Sequence, residues 1–470
     1  MSDNQLSNSQ NTVEIDFAGM TVIQLKSLCK SQNITGISGK KKSELISLLQ
    51  QQPVLLASNQ SQSDMDLALR TKTKRKSKVV LQENKQNGQG MSESARPQQS
   101  NKPDIIRLNY IGSKYQLIDW LSENILAKTG WQSFTGKRVA DLFAGTGYIS
   151  YYFRTAAAGA VITNDAELYS SVITHAFTKS VYNPRCAGLI QKWQQALCAG
   201  AHIPEYGVQP GYITRNYSPS HSDCPRKFFT VDNAQRIDYL RAELERERPN
   251  LSEDDYKFLL ASIVISADQV SNVPAVYGCY LKNFKSKATK ALALLPIHRI
   301  VEPSTVGSRA FNSDVLNLDF LRGFETDMVY LDPPYNERQY SKNYFPLNII
   351  CKPDSALSGV ALKGITGIPS DCFISPFCKK GHTVESAFDT LFRELKTQWI
   401  FLSYNSESLV SKEKMLEIMG KYGQASVITR PYKRFKSFEY NQDIEIEEYL
   451  FCLQKNIPAD SQPSMTPITN

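Results

Sequence analysis

Apolar runs alternate with amphipathic stretches along most of the chain, from about residue 104 to about residue 455. Short apolar runs predict strands at VADLF, AVITND, MVYLD and WIFLSYN. Helical patterns separate these runs, and such alternation is typical of an α/β domain with a mostly parallel sheet. Residues 186–300 interrupt it with long helical patterns such as NAQRIDYLRAELERE. We therefore expect a helical region inserted into the α/β domain.

A separate small domain is predicted over residues 16–52. Thr21 and Gln24 form a capping-box pattern at the start of a first helix, and a second apolar, helical stretch follows the Lys-rich loop after Gly39. Two short helices joined by such a loop resemble a SAP module, a small DNA-binding helix–loop–helix. An arbitrary helical hairpin with a solvated lysine face is the alternative. The DNA contacts implied by the resemblance come from Lys40, Lys41 and Lys42.

The basic charge of the chain is concentrated near its N-terminus. Residues 1–103 contain 14 Lys and Arg and 8 Asp and Glu, so +6 of the net charge of +8 lies there. Residues 53–103 are rich in Gln, Ser and Asn, which predicts a flexible linker, and they include the basic run RTKTKRKSK. This asymmetry favours a polyanionic partner such as nucleic acid. Residues 1–15 and 456–470 are expected to be polar tails.

Several classes of protein are disfavoured by the sequence. No run approaches the length of a transmembrane helix, and the first residues lack the parts of a signal peptide. Nine cysteines occur without a C-x-x-C pair, and Cys372, Cys378 and His382 fit no common zinc spacing. We therefore expect an intracellular, DNA-associated protein, in the cytoplasm or nucleoid of a bacterium or the nucleus of a eukaryotic or virus-infected cell. Neither a membrane nor a metal is expected.

Two strand ends have the features of a nucleotide site. RVADLFAGTGYIS (138–150) is an apolar strand that ends at Asp141, and Gly145 and Gly147 then open a turn into a helix, whose free N–H groups suit a ligand. The next strand ends at Asp165, where nucleotide-binding folds place a carboxylate for ribose hydroxyls. Each feature alone also fits an ordinary strand–turn–helix or a helix cap.

The stretch VYLDPPYNERQY (329–340) leads an apolar strand into a rigid loop that begins with Asp332. Four further motifs precede it in order: NYIGSK (109–114), DLFAGTG (141–147), ND (164–165) and NSD (312–314). Together they resemble the Dam-like, α-type class of DNA adenine-N6 methyltransferases, over residues 104–455. Cofactor motifs lie before the 186–300 block and the catalytic motif follows it, so the resemblance implies target recognition in between.

The resemblance implies a Rossmann-like sheet that binds S-adenosylmethionine and methylates an adenine flipped out of duplex DNA. In this class the Asp-Pro-Pro-Tyr loop accepts hydrogen bonds from the adenine amine, and its tyrosine stacks on the base. The implied catalytic residues are Asp332, Pro333, Pro334 and Tyr335. The residues implied for cofactor binding are Tyr110, Lys114, Asp141, Phe143, Gly145, Asp165, Asp314 and Asp332.

The residues after the catalytic motif are candidates for contact with DNA. Arg338 and Tyr340 are expected to contact phosphates or the flipped base, although packing would explain them equally well. The resemblance implies site-specific action on double-stranded DNA and admits a cognate restriction endonuclease as partner. Methylation of a cytosine amine, an RNA adenine or a protein amide remains an alternative, as does a DNA-binding scaffold that has lost catalysis. Asp rather than Ser before Pro-Pro favours adenine over cytosine.

Overall fold

The structure is a computed structural model. It describes residues 40–50, 105, 108, 110, 112–205, 207, 209–304, 306–433 and 445–456. The chain divides into two compact units, Met1–Arg96 and Pro97–Asn470. The described part of the first unit includes helix α1 (Lys42–Gln50), in which Leu45 and Leu49 are buried. The rest of the predicted SAP-like module, the 53–103 linker and nearly all of both predicted tails lie outside the described residues.

A seven-stranded sheet forms the centre of the second unit, in the order β3-β2-β1-β4-β7-β9-β8. The first five strands in this order run parallel, and β9 is antiparallel to both of its neighbours. Two further short strands, β5 (Leu362–Lys363) and β6 (Ile368–Pro369), form a separate hairpin. The strands of the large sheet are β1 (Arg138–Asp141), β2 (Ala160–Asn164), β3 (Arg309–Phe311), β4 (Thr326–Leu331), β7 (Thr397–Asn405), β8 (Gly423–Lys433) and β9 (Glu445–Lys455).

Helices cover both faces of this sheet, because its strands alternate apolar side chains between two cores. Val139, Met328 and Phe401 belong to one core, whereas their neighbours along the strands, such as Ala140 and Val329, belong to the other. The α/β, Rossmann-like fold predicted from the sequence is confirmed. The helices of the second unit are α2 (Ile118–Thr129), α3 (Tyr148–Thr155), α4 (Leu168–Thr178), α5 (Pro184–Cys198), α6 (Tyr212–Tyr217), α7 (Val231–Glu247), α8 (Glu253–Gln269), α9 (Leu318–Arg322), α10 (Tyr340–Ile350), α11 (Asp354–Leu357), α12 (His382–Glu394) and α13 (Lys412–Gly420).

The inserted region lies between β2 and β3 and is helical only in its first part. Helices α7 and α8 begin at the caps Thr230 and Ser252, whose side chains accept hydrogen bonds from Asn233 N and Asp255 N. Residues 270–300, which were included in the predicted helical block, contain neither helix nor strand. Pro274 and Gly278 fall where a helix would have to continue, and both residue types disfavour a helix interior.

None of the described helices is long and apolar enough to cross a membrane.

Candidate active site

A cavity of about 1730 Å³ opens where the parallel strands β1, β2, β4 and β7 end. In open α/β sheets this edge is where ligands bind. Asp141, Asp165 and Asp332, which the sequence analysis placed at or just after strand ends, all line the cavity. So do the other residues predicted for the cofactor and for catalysis, namely Tyr110, Lys114, Phe143, Gly145, Asp314, Pro333, Pro334 and Tyr335.

Asp141 lies at the bottom of this cavity with one carboxylate oxygen unpaired. Its Oδ2 accepts a hydrogen bond of 2.6 Å from Ser150 Oγ, whereas Oδ1 has no hydrogen-bond partner among the described residues. Burial raises the pKa of this carboxyl, which is 1% exposed, to about 7, although the bond from Ser150 opposes the rise. An orphaned acceptor at a buried site favours a ligand that brings a donor or a positive charge.

The turn between β1 and α3 brings backbone close to the cavity. Gly145 and Gly147 both have positive φ angles, 50° and 72°, which other residues adopt at a cost. A Cβ at Gly145 would also lie 3.0 Å from Tyr110 Oη, so the tyrosine ring packs directly on the turn. Tyr110 in turn stacks on Tyr344, with ring centroids 4.6 Å apart. The turn and the aromatic residue predicted for cofactor binding thus form one wall.

Asp165 is held in place by backbone N–H groups on either side. Its Oδ2 accepts from Gly145 N at 2.8 Å and its Oδ1 accepts from Glu167 N at 2.9 Å. Burial raises the pKa of Asp165, and these backbone hydrogen bonds oppose the rise. The carboxylate lines the cavity, where it can accept hydrogen bonds from a ligand such as a ribose diol.

The loop that carries Asp314 is fixed to the end of β2. Asn164 accepts from Ser313 N and donates to Ser313 O, both at 3.0 Å, so the ND and NSD motifs are joined side by side. Asp314 is exposed at the cavity, and its Oδ1 accepts from Leu316 N. Across from it, Phe143 packs edge-on against Phe377, with ring centroids 5.0 Å apart. Asp314 and Phe143 both line the cavity.

Asp332 is the centre of a compact group of polar side chains. Lys114 Nζ lies 2.8 Å from its Oδ1, and Tyr335 Oη donates to the same oxygen at 2.9 Å. Lys114 also donates to Gly112 O at 3.0 Å and lies 4.8 Å from the centre of the Tyr335 ring. The family resemblance implies that Lys114 binds the cofactor. The structure places its ammonium group directly on the carboxylate of the catalytic loop.

Two opposing effects set the pKa of Asp332. Burial raises this pKa, while the neighbouring Lys114 ammonium and the Tyr335 hydroxyl lower it. Glu448, on β9, is a second buried acid at the same end of the cavity. Burial raises its pKa too, and Lys114 again opposes this rise. One buried lysine therefore compensates two acids, and it favours the ionised form of both.

The predicted DNA contacts have different surroundings. Arg338 is exposed at the rim of the cavity, where its backbone carbonyl accepts from Cys378 Sγ. Tyr340 lines the cavity, and its ring packs against those of Tyr110 and Tyr344, with centroids 5.6 and 5.9 Å apart. It therefore belongs to the same aromatic wall as Tyr110. Lys40, Lys41 and Lys42 lie in the other unit, at and just before the start of α1.

Sequence reasoning missed several residues of the cavity, above all Glu167, Asn405 and Glu448. Glu167 accepts from Ser341 Oγ and, at 2.6 Å, from Asn348 Nδ2, and so joins the Asp165 loop to α10. In the sequence, Glu167 is only an acid at the start of a helix, and this position does not predict a link to α10. Glu448 had a signal, because it shares a strand face with Ile446, Leu450 and Cys452, where an apolar residue is expected.

The fold and the cavity together define the class of the protein. A Rossmann-like sheet with an acid-lined cavity at the strand ends and an Asp-Pro-Pro-Tyr loop after β4 is typical of an S-adenosylmethionine-dependent methyltransferase. Residues 110–418 match the D12 class N6 adenine-specific DNA methyltransferase family, and the chain belongs to this family. It is an enzyme that methylates the N6 amine of adenine in DNA.

Related proteins of known class agree with this assignment. The chain is 38% identical to the type II methyltransferase M.CviAII of Paramecium bursaria Chlorella virus 1, over 73% of this chain and 98% of the relative. It is 36% identical to the type II methyltransferase M.NlaIII of Neisseria lactamica, over 74% and 99%. It is also 29% identical to the type II methyltransferase M.FokI of Planomicrobium okeanokoites, over 74% and 53%. The alternatives of a cytosine, RNA or protein substrate and of a scaffold that has lost catalysis find no support in these similarities.

Proposed function

We propose that the cavity holds S-adenosylmethionine and a flipped adenine at the same time, and that Asp332 lies at the boundary between the two. The observation that carries this proposal is the position of Asp332. Asp141, Asp165 and Asp314 lie on the side of the β1 and β2 ends, and Glu448 lies on the side of the β7–β9 pair. The side of the β1 and β2 ends suits the cofactor, and the side of the β7–β9 pair leaves room for the flipped adenine.

The residues on the side of the β1 and β2 ends fit the parts of the cofactor. The unpaired Oδ1 of Asp141 suits the ammonium group of the methionine part, because a buried carboxylate is stabilised by an opposite charge. Asp165 would accept from the ribose hydroxyls, and Asp314 and Phe143 would contact the adenine of the cofactor. Tyr110 and Gly145 would border its methionine part. When bound, the cofactor supplies a methyl group that is attached to a positively charged sulfur. Once the methyl group is transferred, this sulfur is that of a neutral thioether.

The catalytic loop would act on the amine of the target adenine. This amine is a poor nucleophile, because its lone pair is delocalised into the ring. Asp332 and the Pro333 carbonyl would each accept a hydrogen bond from one of the two N–H groups of this amine. These hydrogen bonds would localise the lone pair on nitrogen. Pro334 makes this loop rigid, because proline fixes its own backbone φ angle. The Tyr335 ring would stack on the flipped base and offset the lost base stacking.

The nucleic-acid substrate would be double-stranded DNA that contains a short target sequence. Arg338 would contact the DNA at the rim of the cavity, and Tyr340 would border the bound molecules. In the first unit, Lys40, Lys41 and Lys42 would add affinity without sequence choice, because contacts to phosphates carry no direct sequence information. By analogy with its type II relatives, the protein would protect DNA against a cognate restriction endonuclease.

The test is to incubate the purified protein with S-adenosylmethionine and unmethylated genomic DNA, and then to map modified bases by single-molecule sequencing. We expect N6-methyladenine within one short sequence. The variant Asp332→Ala should leave that DNA unmodified. Unmodified DNA from a wild-type protein that binds the cofactor would contradict the proposal, as would full activity of the variant.

A further inference from the structure

The irregular segment that follows α8 has an unusual charge pattern. Between Asp268 and Glu302 the sequence contains no acidic residue, and none of residues 270–301 belongs to a helix or strand. A segment of this length without regular structure inside a compact domain is usually functional. The segment 270–301 is called the basic loop below. Its basic residues are Lys282, Lys285, Lys287, Lys290 and Arg299.

The basic loop is held in a defined shape by two buried asparagines. Asn272 and Asn233 are 0% and 1% exposed, and each amide hydrogen-bonds three backbone groups. These bonds satisfy backbone groups that would otherwise lack partners in an irregular segment. The partners of Asn272 are Lys227 O, Leu281 O and Lys285 N, and those of Asn233 are Ala288 O, Lys290 O and Leu292 N, all at 2.8–3.1 Å.

The start of the basic loop borders the catalytic cavity. Pro274 and Ala275 line the cavity itself. Tyr277 N donates at 2.8 Å to Asn343 O, on the helix that directly follows the catalytic loop. At Gly278 a Cβ would lie 3.1 Å from Asn343 Oδ1, so the backbone of the loop packs closely against the side chain of Asn343. The start of the basic loop is therefore anchored to α10, next to the loop that begins with Asp332.

The lysines of the basic loop concentrate positive charge. Lys282 and Lys290 are exposed, and neither forms an ion pair with an acid of the described residues. Lys285 is partly buried and donates to Val273 O. Burial lowers the pKa of Lys285, and the nearby Lys287 lowers it further. Exposed positive charges without a paired acid attract an anion such as a phosphate group.

Helices α7 and α8 offer no comparable surface. Along α7, arginines are paired with acids of the same helix: Arg236 with Asp232, and Arg246 with Glu243. Helix α8 is buried along most of its length. The charges of these helices are neutralised within the protein, whereas those of the basic loop are not.

From these observations we propose that the basic loop binds the sugar–phosphate backbone of the DNA duplex beside the flipped adenine, through Lys282 and Lys290. This inference rests on the proposed function of the cavity and adds the surface that holds the duplex against it. Phosphate contacts of this kind fix the position of the DNA and do not select its sequence.

The test compares Lys282→Gln/Lys290→Gln in the full chain with the control variant Lys128→Gln/Lys396→Gln. Lys396 directly precedes β7, at the edge of the sheet opposite the cavity, and Lys128 is exposed in the last turn of α2. The Kd for a labelled duplex that contains the methylated sequence is measured at several salt concentrations. The logarithm of the association constant falls linearly with the logarithm of the salt concentration. Each lost phosphate contact reduces the magnitude of this negative slope by about 0.9.

We expect the Lys282/Lys290 variant to bind DNA more weakly. The magnitude of its salt-dependence slope should be smaller by about two. The control variant should match the wild type, and both variants should bind the cofactor as the wild type does. The target sequence should be unchanged. If the wild type methylates DNA but the Lys282/Lys290 variant keeps its Kd and slope, this inference alone fails. If the wild type transfers no methyl group to DNA, the proposed function fails as well.

Discussion

Replacement of Lys114 by methionine tests the electrostatics of the catalytic loop. Methionine keeps most of the length of the side chain and removes its charge. The lost ammonium group lies 2.8 Å from Asp332 Oδ1. Burial already raises the pKa of Asp332, and Lys114 is the largest influence that opposes this rise. Without it, we expect the carboxylate to take up a proton at a higher pH than in the wild type.

The size of the effect follows from the distance between the charges. A positive charge this close to a carboxyl group lowers its pKa, so the loss of Lys114 should raise the pKa of Asp332. The protonated acid carries no charge and is a weaker acceptor for the adenine N–H group than the carboxylate. Below the new pKa, kcat should fall about tenfold for each pH unit. Loss of stability should be smaller than the usual cost of breaking a buried pair, because Asp332 can become neutral.

The assay is the pH dependence of kcat for methyl transfer to duplex DNA, together with the Kd for the cofactor at each pH. Lys114→Met should shift the acid limb of the kcat profile to higher pH, and activity should recover partly at alkaline pH. Lys114→Arg, which keeps the charge, should lie closer to the wild type. An unchanged acid limb combined with a weakened cofactor Kd would refute this reasoning and would return Lys114 to a purely cofactor-binding role.

Two further predictions concern stability. Burial raises the pKa of Glu167 from 4.5 to about 7, so the folded protein binds a proton that the unfolded chain has released between these values. Stability should therefore fall as pH rises from about 4.5 to 7, and Glu167→Gln should flatten this fall in urea unfolding measured at several pH values. Gly147→Ala should destabilise the protein by about 2–4 kcal/mol, because φ is 72° and the new Cβ would lie 2.7 Å from Phe177 Cδ2. Gly188→Ala, in an open helical position, should leave stability equal or higher, and equal loss in both variants would contradict the steric argument.

Strand ends were predictable from the sequence because their signal is local. An apolar run that stops at an acid, as at Asp141, Asp165 and Asp332, reports both the strand and the side chain at its end. The parallel arrangement then brings these acids to one edge of the sheet. The prediction of a cavity lined by all three needed no information on packing between distant helices. The specific roles of these acids in catalysis and cofactor binding stay predictions.

Other features depend on contacts between segments far apart in the chain. The pairing of Lys114 with Asp332 joins residues on separate elements, and no local pattern distinguishes it from a lysine near a cofactor. The role of Glu167 depends on Ser341, which lies far away in the sequence. The basic loop was included in a helical block because its neighbours are strongly helical. Pro274 and Gly278 disfavour a helix there, and the two buried asparagines, whose partners include residues of other segments, hold the loop in its shape.

The charges of the cavity explain why the duplex needs a separate surface. Among its lining residues, the acids far outnumber the basic residues, which are Lys114 and Arg338. An acidic cavity attracts a cationic cofactor and admits a neutral base, but it repels phosphate groups. A flipped adenine can therefore enter only if basic groups outside the cavity hold its phosphates. The exposed lysines of the basic loop lie on a segment that begins at the wall of the cavity, where such groups are required. The acids that line the cavity are Asp141, Asp165, Glu167, Asp314, Asp332, Glu337, Glu407 and Glu448.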